Sequence, residues 1–255
     1  MKSTIDTLRA LREEAKSLRG RLAPPGFYRL CAAELESARS VFFDDPLIYR
    51  MQQDVLPFLY DDYGHGVEHA KKVAIEAAAI VLSEVGKADP ERARRLGKLA
   101  LLAGLLHDIC RLEPEHAARG AEVAHLILQD YPLPAEDKAA VVRAIGCHEA
   151  FTPCPGAPEP DPDADLLAGA LYDADKFRWG PDNFVTTLWE ICDYQEWPLE
   201  EVVRRFPEGV ERIRQVADTF RTSVGQSCGP EFIEQGLAMS QTLYRQLRDA
   251  AGGRA

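Results

Sequence analysis

Apolar residues recur at three- and four-residue intervals along most of the chain, the period of a helix and not of a strand. Leu8, Leu11, Ala15 and Leu18 predict an amphipathic first helix, which Gly20 and the Pro24-Pro25 pair bring to a stop. A second helix is predicted over Leu30 to Val41, and a shorter one after Pro46. From Gly66 to Val85 the positions Val67, Ala70, Val73, Ala74, Ala77, Ala78 and Val81 form one stripe. Asp89-Pro90 restarts the chain, and Glu91 to Leu106 is apolar nearly all round, the mark of a helix at the centre of a core.

Ala117 to Leu128 and Glu136 to Ile145 read as two further helices, separated by Tyr131-Pro132 and Pro134. The five prolines between Pro153 and Pro162 exclude regular structure there. Helices resume over Ala164 to Phe177, then from Asn183, Leu199 and Glu231. No stretch alternates with period two for long enough to predict a sheet. The fold class expected is therefore all-α: a core over residues 61–180, an N-terminal helical extension over 1–60 and a C-terminal one over 181–255.

Composition narrows the function. Thirty Lys+Arg against 41 Asp+Glu give a net charge of −11, which argues against stable binding to duplex nucleic acid. The dense apolar stretch Leu99–Leu106 is far short of the roughly 20 residues that span a membrane. Met1 to Leu22 has no apolar centre of a signal peptide. The six cysteines include no CxxC pair, and the expectation is a reducing cytoplasm with buried free thiols, Cys147 and Cys154 among them.

All six histidines lie between residues 65 and 148. His65 and His69 are four apart at the start of a predicted helix. His107-Asp108 closes the most apolar helix, and Asp173-Ala174-Asp175-Lys176 closes another. Carboxylates among apolar residues are costly unless a cation compensates them, and a divalent metal bound by mixed N/O donors would do so.

The ordered set His69, His107-Asp108, Asp175 resembles the H…HD…D signature of the HD-domain metal-dependent phosphohydrolase superfamily, over roughly residues 61–180. That resemblance implies an HD-type helical bundle. His69, followed by Ala-Lys-Lys-Val, matches the first metal ligand, His107 and Asp108 the eponymous pair, and Asp175 the last ligand. Lys176 would contact phosphate, as would Arg111, which stands where relatives have the lysine of HDIGK; Cys110 replaces the glycine of that run. His116 and His148 match the further ligands of a bimetallic version, with Asp108 bridging, and His125 is the substitute for either. His65 matches a proton donor to the leaving group in phosphodiesterase relatives; the alternative is a helix-start or substrate-binding residue.

The resemblance implies one or two ions of Mn, Fe, Ni, Co, Zn or Mg. It also implies hydrolysis of a phosphate ester, a nucleotide or another small phosphorylated metabolite, by attack of metal-bound hydroxide on phosphorus. Two other functions belong to the same signature: a mixed-valent di-iron oxygenase, and a non-catalytic nucleotide-sensing helical protein. Trp179, Trp189 and Trp197 read as core or pocket wall, and Asp173 as a hydrogen-bond acceptor or helix-end charge.

Overall fold

Asp-Pro pairs set the start of three helices. Asp45, Asp89 and Asp161 each precede a proline at the first helical position, where its missing N–H removes no hydrogen bond. Their carboxylates accept from the free amides of the first turn: Leu47 at 2.9 Å, Arg92 at 3.0 Å and Ala164 at 3.0 Å.

The computed structural model describes residues 4–59, 66–154 and 160–252. All regular structure among them is helical, as the sequence period predicts. In chain order the α-helices are α1 (Thr4–Arg21), α2 (Phe27–Leu30), α3 (Ala32–Asp44), α4 (Pro46–Val55), α5 (Val67–Val85) and α6 (Pro90–Leu106). There follow α7 (His116–Leu128), α8 (Ala135–Gly146), α9 (Pro162–Lys176), α10 (Leu188–Tyr194), α11 (Leu199–Val216) and α12 (Ser223–Gly252). A π-helical turn, Asn183–Thr187, runs directly into α10. The irregular segment between Pro153 and Pro162 falls partly outside the described residues.

A boundary and a burial pattern differ from expectation. The helix predicted from Glu231 begins at Ser223, because Pro230 lies inside α12 and does not start it. Val67 is exposed at the opening of α5, whereas Val73 to Val81 is buried all round, so this helix is more central than one stripe implies.

The core is continuous from Leu8 in α1 to Leu247 in α12. Helix α5 packs against α3, α6, α9 and α12. Its closest neighbour is α6: a methyl on Gly104 would fall 2.6 Å from the amide N of Ala74 and closer still to its Cα. Only glycine permits that approach.

The carboxylate of Asp173, fully buried in α9, ties down the far end of the chain. It accepts from the amides of Arg221 (2.8 Å) and Thr222 (2.8 Å) and from the Thr222 hydroxyl (2.7 Å). Thr222 Oγ1 in turn accepts from the Gly225 amide at 2.9 Å, capping α12. No helix among the described residues is long and apolar enough to cross a membrane.

Candidate metal centre

Five elements deliver their ends to one place. His69 stands on the first turn of α5. His107 and Asp108 follow the last turn of α6, where the backbone leaves the helix through bonds from Ile109 N to Leu106 O and from Arg111 N to Asp108 O. His116 opens α7 after Glu115, which has a left-handed φ of 53°. His148 lies just past α8, and Asp175 sits in the last turn of α9.

Asp108 stands between two groups. On one side, His69 Nε2 and His107 Nε2 are 3.1 Å apart. Asp108 Oδ2 is 3.5 Å from the first and 3.3 Å from the second. Asp175 Oδ1 is 3.4 Å from His69 Nε2 and 3.9 Å from His107 Nε2. On the other side, Asp108 Oδ1 is 3.6 Å from His148 Nε2 and 3.8 Å from His116 Nε2. The side chains of His69, His107, Asp108, His148 and Asp175 are all buried.

These separations fit a cation. Donors about 2.1 Å from one ion stand about 3.0 Å apart at right angles and about 3.4 Å apart at tetrahedral angles. Most of the first group's separations fall close to that range. The donor atoms of His69, His107 and Asp108 all lie within 4.8 Å of one another, as do those of Asp108, His116 and His148. Each trio could hold a metal ion, with Asp108 common to both.

The imidazoles are oriented for that task. His107 Nδ1 donates to the Gly104 carbonyl at 2.8 Å, and His148 Nδ1 donates to the Ile145 carbonyl at 2.6 Å. A carbonyl only accepts, so the proton of each neutral ring sits on Nδ1 and the Nε2 lone pair faces inward. Burial favours a neutral His107, but the carboxylates of Asp108 and Asp175 outweigh it and raise its pKa. Burial would likewise raise the Asp175 pKa, yet Lys176, His69 and His107 hold its carboxyl well below the usual range. His116 is pushed down to about 4 by burial, by the Arg111 guanidinium and by His148.

Lys176 and Arg111 both reach the centre, each engaged with a neighbour. The buried Lys176 ammonium donates to Asp175 Oδ2, turning Oδ1 toward the imidazoles. Arg111 Nη1 donates to His116 Nε2 at 3.0 Å. His125 is exposed on α7, beside Gln129, and is an ordinary surface residue. His65 lies outside the described residues.

The expectation of free thiols fails at Cys147 and Cys154, which form a disulfide. The chain folds back after α8, with Phe151 at a left-handed φ of 64°, and brings the two Cα atoms within 4.6 Å. Cys31, Cys110, Cys192 and Cys228 are free and buried.

The centre forms one end of a cavity of about 700 Å³. Its far walls come from the π-helical turn, α10 and α11; the sequence points to the Phe177–Phe184 segment, which reaches into this turn, as a base-binding pocket wall, but not to Val185, Leu188, Ile191 or Val210. Trp179 and Trp197 line it. Trp189 is core, its Nε1 donating to the Phe184 carbonyl at 2.6 Å. Arg178 also lines the cavity, but its guanidinium is committed to Glu76 at 2.7 Å and Asp182 at 3.0 Å.

No family model, curated protein or solved structure matches this chain.

Proposed function

We propose that this chain is a metal-dependent hydrolase of small phosphate esters, of the HD-domain kind that its ordered histidines and aspartates resemble. The observation that carries the reading is the position of Asp108, one oxygen toward His69 and His107 and the other toward His116 and His148. Nitrogen and oxygen donors without thiolate suit Mn, Fe, Co, Ni or Zn, and Mg less well because of the imidazoles. One or two such ions would supply Lewis-acid polarisation of a phosphoryl group and a water of lowered pKa.

The remaining contributions belong to the chain itself. The Gly104 and Ile145 carbonyls fix the tautomers of His107 and His148. Lys176 neutralises and aims Asp175. Arg111 borders the same cavity and, on releasing His116, offers its fork of N–H donors to a phosphoryl oxygen. The buried surroundings strengthen each of these interactions by excluding water.

The test is phosphate release by the purified protein, loaded in turn with Mn, Co and Ni, from a panel of phosphate esters. Release that disappears in Asp108→Ala is expected. No release from any fully metallated sample would remove the reading. The same donors suit two irons, so iron content with an oxygen-dependent reaction would instead favour the di-iron oxygenase.

A further inference from the structure

The cavity is much larger than a phosphate group and its ions require, and its two ends differ in chemistry. At the metal centre it is lined by imidazoles, carboxylates, Arg111 and Lys176. Away from the centre Val185, Leu188, Ile191, Trp197, Phe206 and Val210 face it. Of these, only Phe206 is buried; the other five keep apolar surface open to the cavity.

The backbone favours that open space in two ways. The π-helical turn Asn183–Thr187 widens the helix just where it borders the cavity, and such turns are rare and frequently found at functional sites. On α11, Gly209 also lines the cavity, and a Cβ there would meet nothing within 4 Å. Glycine inside a helix costs about 1 kcal/mol relative to alanine, and here no clash requires it.

Asn183, Thr187, Glu208 and Arg212 also line the cavity, but two of the polar side chains beside the apolar wall are engaged with the protein. Thr186 Oγ1 donates to the Asp182 carbonyl at 2.8 Å, and Arg205 pairs with Glu201 while lying 4.7 Å from the Trp197 ring centroid. A nucleobase would need polar partners at its edge, whereas an alkyl chain needs only apolar surface.

We infer that the substrate is a phosphomonoester of an alkyl alcohol, its phosphate at Asp108 and its chain along Val185, Leu188 and Ile191. This rests on the phosphohydrolase reading and adds to it the class of leaving group. In the reaction, water oxygen bonds to phosphorus and the P–O bond to the alcohol breaks. The alcohol leaves with one of the water's protons, and the other remains with inorganic phosphate.

Calorimetric titration of the full chain with n-alkylphosphonates of two to eight carbons tests this without turnover, because their P–C bond is not hydrolysed. The expected Kd falls about fourfold per methylene, the behaviour of a chain entering apolar surroundings. Leu188→Gln flattens that dependence. So does the near-isosteric Val185→Thr, which serves if the first variant fails to fold. Phosphate release from octyl phosphate by the metal-loaded protein completes the support. A flat chain-length series, or adenosine monophosphate binding more tightly than octylphosphonate, overturns the inference; cleavage of short esters would then leave the hydrolase reading standing. Absence of release from every ester overturns both.

Discussion

Gly104 lies against Ala74 so closely that the α5–α6 crossing has no room for a single added methyl. The carbonyl of the same glycine receives the Nδ1 proton of His107. One small residue thus sets both the distance between the helices carrying His69 and His107 and the rotation of the second imidazole. Gly104→Ala is expected to destabilise the protein by about 2–3 kcal/mol through overpacking and to weaken metal binding in whatever fraction folds. Urea denaturation and equilibrium dialysis against Mn or Zn measure the two effects separately.

Asp108 contributes an oxygen to each trio, and His148 contributes to one. Asp108→Ala is therefore expected to reduce bound metal to near zero, and His148→Ala to leave one ion per chain. Elemental analysis of dialysed protein, normalised to chain concentration, reads the difference. Equal losses in the two variants would show that the trios do not act as separate sites.

His116 carries a pH signature. Its pKa is held near 4 in the folded protein against an ordinary value of about 6.5. The unfolded chain therefore binds more protons than the folded one between those values, and stability contributed by the neutral ring falls as pH drops through that window. For this partly exposed group, solvent screening reduces the effect to roughly 1–2 kcal/mol. Metal-free protein followed by urea melts from pH 7 to pH 4 should show the decline, and His116→Gln should flatten it.

Thr222 joins α12 to α9 through Asp173 and caps the helix at Gly225. Burial raises the Asp173 carboxyl to about 6 even with three donors upon it, so those donors matter to holding it ionised. Thr222→Val removes the hydroxyl while keeping its shape. The expected loss is about 1–2 kcal/mol, read as a lower urea midpoint with unchanged slope.

The Cys147–Cys154 bond closes a short ring that contains His148. Cys154→Ser, or reduction, is expected to cost roughly 2 kcal/mol through the freedom regained by the unfolded chain. If the ring also steadies His148, the variant will bind its second ion more weakly while the first is retained. Metal titration under reducing and non-reducing conditions distinguishes the two.

Much of this was legible in the residues. The apolar period and the Asp89-Pro90 restart mark α5 and α6, and His107-Asp108 stands out because a polar pair ends so apolar a helix. His116 and His148 are harder to place, because one enters α7 through a left-handed residue and the other leaves α8 into an irregular segment. The aliphatic part of the far cavity wall was hidden for another reason. Val185, Leu188 and Val210 sit at positions that look like ordinary core, and only the packing of separate helices leaves their surface facing a void. Trp189 and Trp197 likewise differ in neighbours and not in local pattern. The disulfide depended on the chain reversing at Phe151, which residue spacing does not encode.

The six donors do not share one mechanical footing. His69 and Asp175 hang from the terminal turns of the long interior helices α5 and α9, and His107 and Asp108 directly follow the last turn of buried α6, whereas His116 opens α7 after a left-handed residue and His148 lies beyond α8. Mild denaturant should accordingly loosen the two sides at different concentrations, so that an ion held by Asp108, His116 and His148 would be lost before one held by His69, His107 and Asp108.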